Sequence, residues 1–220
     1  MTEAAADAPL QSSQVKVIAA SSLGTIFEWY DFYLYGLLAT VITAQFFSGV
    51  NETTGFILAL AAFAAGFAVR PFGALVFGRI GDLVGRKNTF LVTMGIMGAS
   101  TFAVGFLPNY ATAGVAAPLL LVGLRLLQGL ALGGQYGGAA IYVAEHAPQN
   151  RRGFYTSFIQ TTATLGLLLS LVVILFTQIY VNANFPAVTT STGATITPFA
   201  AWGWRVPFIA SVVLLLISLY

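Results

Sequence analysis

The chain has 220 residues, 58% hydrophobic and 7% charged, with a mean hydropathy of +0.86. Soluble domains carry about 25% charged residues, so so much apolar surface belongs in a bilayer and the chain reads as an all-α, polytopic membrane protein. A net charge of +2 with no basic stripe argues against nucleic acid, zero cysteines exclude disulfides and thiol catalysis, and the single histidine, His146, cannot build a histidine-ligated metal site.

A spanning helix needs roughly 20 mostly apolar residues. Residues 1–16 are a polar tail containing Glu3 and Asp7 and do not resemble a cleavable signal peptide. Six apolar segments follow, at about 17–47, 54–77, 88–107, 115–143, 154–180 and 205–220. Short connections at 48–53, 78–87, 108–114 and 144–153 join the first five, and residues 181–204, rich in Thr, Ser, Asn and Pro, read as an external loop. Trp202 and Trp204 at its end suit a membrane interface. The sixth segment has about 16 residues with no charged anchor after it; we read this as the front part of a longer protein, a short last helix being the alternative.

Lysine and arginine set the orientation. Lys16, Arg79, Arg86, Lys87, Arg151 and Arg152 lie in the tail and in the second and fourth connections, whereas the first and third have none. The N-terminus is therefore expected on the cytoplasmic side.

Four ionisable residues fall inside the segments: Glu28, Asp31, Arg70 and Arg125. Such groups at membrane depth usually mark a substrate or proton pathway. At about 1.5 Å per residue, Asp31 lies roughly 22 Å and Glu28 roughly 17 Å from the cytoplasmic start of the first segment, and Arg125 about 15 Å from the outer start of the fourth. The three are expected to meet near the midplane, with Glu28 level with Arg125. Two acids then face one base, leaving one carboxylate without a partner and free to carry a proton. The competing reading is a static salt bridge that pins the first segment to the fourth.

Arg70 precedes Pro71, which weakens the helical ladder and predicts a kink; it serves either as a structural anchor or as a contact for an anionic substrate. In the fourth segment Gly129, Gly133 and Gly137 share one face, the pattern of closely approaching helices. Gln128 lies one turn from Arg125 and is a candidate substrate contact, as are Tyr35, Arg70, Arg125 and, more weakly, Gln160 beside Thr161, Thr162 and Thr164. Gln135 reads as an interhelical packing residue. Asn51-Glu52-Thr53 matches a glycosylation sequon by chance, and His146 beside Glu145 reads as a solvated loop residue.

The second connection reads Gly78-Arg79-Ile80-Gly81-Asp82-Leu83-Val84-Gly85-Arg86-Lys87. Its spacing, its place between two spans and its expected cytoplasmic side resemble the corresponding loop of the major facilitator superfamily. Arg125-x-x-Gln128-Gly129 resembles a second motif of that superfamily. Within it, Glu28-Trp29-Tyr30-Asp31-Phe32-Tyr33, Arg70-Pro71-x-Gly73, Gly133-Gly134-x-Tyr136-Gly137-Gly138 and Gly203-Trp204-Arg205-Val206-Pro207-Phe208 are similar to the metabolite:proton symporter family, which includes carriers for shikimate, α-ketoglutarate, citrate and proline or betaine. The Thr-rich stretch around residues 186–198 departs from that pattern. The resemblance implies the N-terminal six-helix half of a twelve-helix carrier in a bacterial inner membrane, with substrate held between two halves. It implies a proton-coupling pair of Asp31 and Arg125, Glu28 being secondary. It also implies a cytoplasmic gating motif of Gly78, Asp82, Gly85, Arg86 and Lys87.

The expected function is secondary transport of a small organic acid or zwitterion by proton symport, with protons as the coupling ion and no other cofactor. The alternatives are a passive facilitator or channel, and a non-transporting half-bundle that self-associates. The partners expected are the bilayer, the metabolite, and a C-terminal half or second copy. The sequence contains no nucleophile–base set, metal cluster or phosphate loop that would suggest an enzyme.

Overall fold

The computed structural model describes residues 12–134, 143, 144, 147, 152–189 and 193–219. Six rods correspond to the six apolar segments. The first is α1 (Ser12–Leu37) followed by α2 (Ala39–Phe46). Backbone bonds from Leu38 N–H to the Leu34 carbonyl and from Ile42 N–H to the Leu38 carbonyl carry the helix across the joint. At about 1.5 Å per residue this rod is about 50 Å long, more than a bilayer core requires.

The second rod is α3 (Glu52–Ala68) and α4 (Arg70–Val84). Asn51 caps it: its Oδ1 accepts the Thr54 N–H at 2.9 Å, and Glu52 places negative charge in the first turn, where the helix dipole favours it. The expected break at Arg70-Pro71 is present. Proline occupies the first turn of α4, where its missing N–H leaves nothing unsatisfied. The third rod is α5 (Arg86–Val104); a short α6 (Tyr110–Ala113), capped by Asn109, leads to the fourth, α7 (Ala116–Gly133). The fifth is α8 (Arg152–Asn184) and the sixth α9 (Arg205–Leu219).

Among the described residues three helical stretches, Glu52–Val84, Ala116–Gly133 and Arg152–Asn184, are long and apolar enough to cross a membrane, and Arg205–Ser218 is a shorter apolar helix. The other rods are less apolar because α1 carries Glu28 and Asp31 and α5 begins Arg86-Lys87-Asn88.

Two connections differ from expectation. Residues 78–87 are not a loop: α4 runs on to Val84, and Gly85 alone turns the chain into α5 with φ +102°, a conformation only glycine adopts without strain. Residues 181–204 are not simply an exposed loop either. Helix α8 continues to Asn184, and β1 (Val188–Thr189) pairs antiparallel with β2 (Thr195–Ile196). A π-helical turn, Phe199–Gly203, then leads into α9, tied down where Asn182 Oδ1 accepts the Phe199 N–H at 3.1 Å. The two tryptophans accordingly part company. Trp202 is 37% exposed, whereas Trp204 is fully buried, edge-on to Phe46 and Phe208. Trp204 is therefore a core residue and not an interface anchor, because the turn before it rotates its ring inward.

Helix α7 is the hub of one side, packed against α3, α4 and α5; on the other side α1 lies along α8, and α9 closes against α5 and α1. The approach of α7 to the second rod is backbone on backbone. A Cβ at Gly129 would strike the Gly66 carbonyl, and one at Gly133 would strike the Arg70 carbonyl. Gly137 and Gln135, expected to extend this face, lie outside the described residues, as do His146 and Arg151.

Candidate functional site: two ion pairs across the first helix

The acids of α1 meet two bases, not one. Arg125 Nη1 donates to Asp31 Oδ2 at 2.9 Å, and both side chains are only 4–5% exposed. One turn away along α1, Glu28 Oε1 lies 3.8 Å from Arg70 Nη1, close enough for charge attraction but too far for a hydrogen bond. The expectation that Glu28 sits level with Arg125 and that one acid lacks a partner is thus corrected. Depth counted along straight helices ignores tilt, and an arginine side chain spans about one helical turn. Arg125 therefore reaches the farther acid, and the Arg70-Pro71 break delivers a second guanidinium to the nearer one.

The remaining valences of Asp31 are filled from neighbouring helices. Thr101 of α5 places its Oγ1 3.0 Å from Asp31 Oδ1 and 3.0 Å from the Met97 carbonyl, so its one proton serves either acceptor. Gln128 Nε2 donates to Thr101 Oγ1 at 2.8 Å and reaches Asp31 Oδ1 at 3.2 Å. Both guanidinium groups rest on aromatic faces: Arg125 lies 4.3 Å from the Tyr35 ring centre and Arg70 lies 4.2 Å from that of Phe67. Such contacts help to hold a cation away from water.

These groups surround a small cavity of about 20 Å³, lined by Glu28, Asp31, Arg70, Arg125 and Gln128 together with Phe32, Phe63, Phe67 and the small residues of α3 and α7. That is room for about one water. Five buried polar atoms on its walls have no hydrogen-bond partner: Glu28 Oε2, Gln128 Oε1, Arg70 Nε, and Arg125 Nε and Nη2. Leaving such atoms unpaired costs about 1–3 kcal/mol each, and native proteins retain few of them without a reason.

Of the expected substrate contacts, Arg70, Arg125 and Gln128 line this cavity. Tyr35 does not; it is fully buried behind Arg125 and its hydroxyl donates to the Ala59 carbonyl at 2.9 Å. Gln160 is on an exposed face of α8 and is not part of the lining. Gly78, Asp82, Gly85, Arg86 and Lys87 sit on the end of α4 and the start of α5, apart from the cavity, with Asp82 and Lys87 exposed. Thr101 was missed by sequence reasoning, and nothing in its surroundings along the chain distinguishes it from the other helical threonines. The aromatic wall left a fainter trace, since Phe63, Phe67 and Arg70 follow helical spacing. Among the described residues no three His, Cys, Asp or Glu side chains are grouped to hold a metal.

The chain is 43% identical over 210 residues to the inner membrane metabolite transport protein YhjE of Escherichia coli, covering 95% of this chain and 45% of that protein. It is 40% identical over 206 residues to the proline/betaine transporter of Salmonella typhimurium, covering 93% and 38%. In fold it is similar to the xylose transporter XylE from Escherichia coli in a partially occluded inward-open conformation, with a TM-score of 0.76 at 18% identity over 94% of this chain and 49% of that one. The chain thus spans less than half the length of these relatives. The profile described as "Sugar (and other) transporter" matches residues 16–220, and the chain belongs to that transporter family of the major facilitator superfamily.

Proposed function

We propose that this chain forms one half of a proton-driven symporter for a small organic acid or zwitterion, working by alternating access. The observation that carries the proposal is the buried Asp31–Arg125 pair, which ties α1 to α7 beside a polar cavity. A proton delivered to Asp31 removes the charge that holds Arg125, and the freed guanidinium then takes the substrate carboxylate; loss of the proton re-forms the pair and displaces the substrate. Protons are the coupling ion. Relatives more than twice as long support a complete carrier in which a second six-helix half, or a second copy, supplies the other cavity wall. One relative is a proline/betaine transporter, and proline and betaine both carry a carboxylate, which supports a carboxylate-bearing cargo. The basic residues near the tail, the second connection and the fourth support a cytoplasmic N-terminus. Gly78, Asp82, Gly85, Arg86 and Lys87 would then latch the cytoplasmic face against the partner half.

The test is Asp31→Asn in the full-length carrier, reconstituted in vesicles. Proton-driven accumulation of substrate should vanish while exchange of internal for external substrate persists. Accumulation that survives unchanged would remove Asp31 from the coupling step and leave the pair as a static brace.

A further inference from the structure

A water settles inside a protein where there is room for one molecule and a set of polar partners to hold it. The cavity beside α1 meets both conditions. Its volume is about 20 Å³, and the five unpartnered atoms on its walls are of both kinds. Glu28 Oε2 and Gln128 Oε1 accept, whereas Arg70 Nε, Arg125 Nε and Arg125 Nη2 donate. A water has hydrogens for the first set and lone pairs for the second.

The two acids beside this space differ in access. Asp31 is enclosed: Arg125 holds Oδ2, and Thr101 and Gln128 approach Oδ1. Glu28 has an oxygen to spare, and its neighbour Arg70, 30% exposed, stands at the rim. The way from the rim to Asp31 therefore passes Glu28. Side chains three apart on a helix start about 5–6 Å apart at Cβ, and two O–H···O bonds of about 2.7 Å through one water span that gap.

Arg70 of α4 and Arg125 of α7 are the charged groups facing the two acids. The remaining helices packed on α1 carry theirs at their ends: Arg152 in α8, Arg205 in α9, and Arg86 and Lys87 in α5. The phenols that interact with Asp31, those of Tyr30 and Tyr35, donate to the carbonyls of Pro207 and Ala59.

Resting on the reading of Asp31 as the coupling acid, we propose that the cavity is a water site and that Glu28 is the entry station for the proton, passing it through that water to Asp31. A proton from the rim is taken up at Glu28 Oε2. The O–H bond there breaks as one forms to the water, and another O–H bond of the water breaks as one forms at a carboxylate oxygen of Asp31. Glu28 is left ionised, Asp31 neutral and the water unchanged. Release runs the same steps backwards. Arg70, 3.8 Å from Glu28, favours the ionised acid and so sends the proton onward.

The test follows protons alone, in the full-length carrier in vesicles. After a jump to acid pH, time-resolved infrared spectroscopy reads the protonated-carboxyl bands that Glu28→Gln and Asp31→Asn each delete. In the parent the Glu28 band should rise before the Asp31 band. Glu28→Gln should slow the Asp31 band at least about tenfold, the loss of a positioned proton-transfer group. Glu28→Asp, which keeps a carboxyl, should recover most of the rate, and Asp31→Asn should leave the Glu28 band in place. A structure of the parent carrier in which waters are visible should place one within hydrogen-bond distance of Glu28 Oε2 and Gln128 Oε1. A dry cavity, an Asp31 band that rises at the parent's rate in Glu28→Gln, or one equally slow in Glu28→Asp, overturns the relay and leaves the coupling role of Asp31 standing. If the Asp31 band never appears, the coupling reading fails and takes the relay with it.

Discussion

Gly133 rests directly on the backbone carbonyl of Arg70, leaving no space for a Cβ between α7 and the break in the second rod. Glycine there sets where a cationic residue of the site stands. Gly133→Ala should force the helices apart, at a cost of about 1–3 kcal/mol for overpacking, and should shift Arg70 away from Glu28. A lower thermal midpoint in detergent together with weakened substrate binding is the expected pair of results. Gly123, with open space around it, is the control, and Gly123→Ala should leave both readings near wild type.

Thr101 supplies Asp31 and Gln128 with a hydroxyl that neither can replace locally. Thr101→Val keeps the shape and deletes that group, at a cost of about 1 kcal/mol, the usual worth of a hydrogen bond. Transport should fall about fivefold, with Thr101→Ser close to wild type. A valine variant as active as the parent would show that the Thr101 hydroxyl is not needed to hold Asp31, Arg125 and Gln128 sufficing.

Arg205 should matter for stability and not for chemistry. Its Nη1 reaches the Gly105 and Leu107 carbonyls, at 3.2 and 2.6 Å, just past the end of α5, and its guanidinium lies over Trp204. Because the side chain is only partly buried, Arg205→Ala should cost about 1–3 kcal/mol. The midpoint of unfolding should drop while substrate affinity of the folded carrier stays unchanged.

Gly85 turns the chain between α4 and α5 at a positive φ. Gly85→Ala should cost about 1–3 kcal/mol through backbone strain. Limited proteolysis at this connection should become faster, whereas substitution at the exposed Lys87 should leave the rate alone.

Fluorescence can check separately Trp202 in the π-turn and Trp204 just after it. With Trp29 replaced by phenylalanine and one of the pair retained, Trp202 should be accessible to acrylamide and Trp204 shielded. Equal quenching would contradict the inward turn of Trp204.

Apolar run length made the rods legible, because the bilayer fixes the number of residues a helix needs, and the four charged residues stood out for the same reason. Glu28, Asp31, Arg70 and Arg125 were all visible before any fold was known. The resemblance implied the pairing of Asp31 with Arg125, but that of Glu28 with Arg70 was not legible, because it depends on helix tilt and on the break at Arg70-Pro71, which only packing reveals. Tyr35 was counted among the candidate substrate contacts, yet its ring lies under the Arg125 guanidinium. Thr101 was invisible because a helical threonine can satisfy its own hydroxyl on the preceding turn, as most here do. The turns at Gly85 and Phe199–Gly203 hinge on single-residue geometry, which composition does not register.

Both acids of the site belong to α1, and both bases belong to elements that touch through glycine backbone. Gly66, Gly129 and Gly133 leave no side-chain cushion between the second rod and α7, so these two elements have little freedom to slide past one another. Arg70 and Arg125 therefore travel as a single carriage, and α1 with Glu28 and Asp31 is the rail beside it. A change in the tilt of that one helix would therefore alter both charge pairs in the same movement.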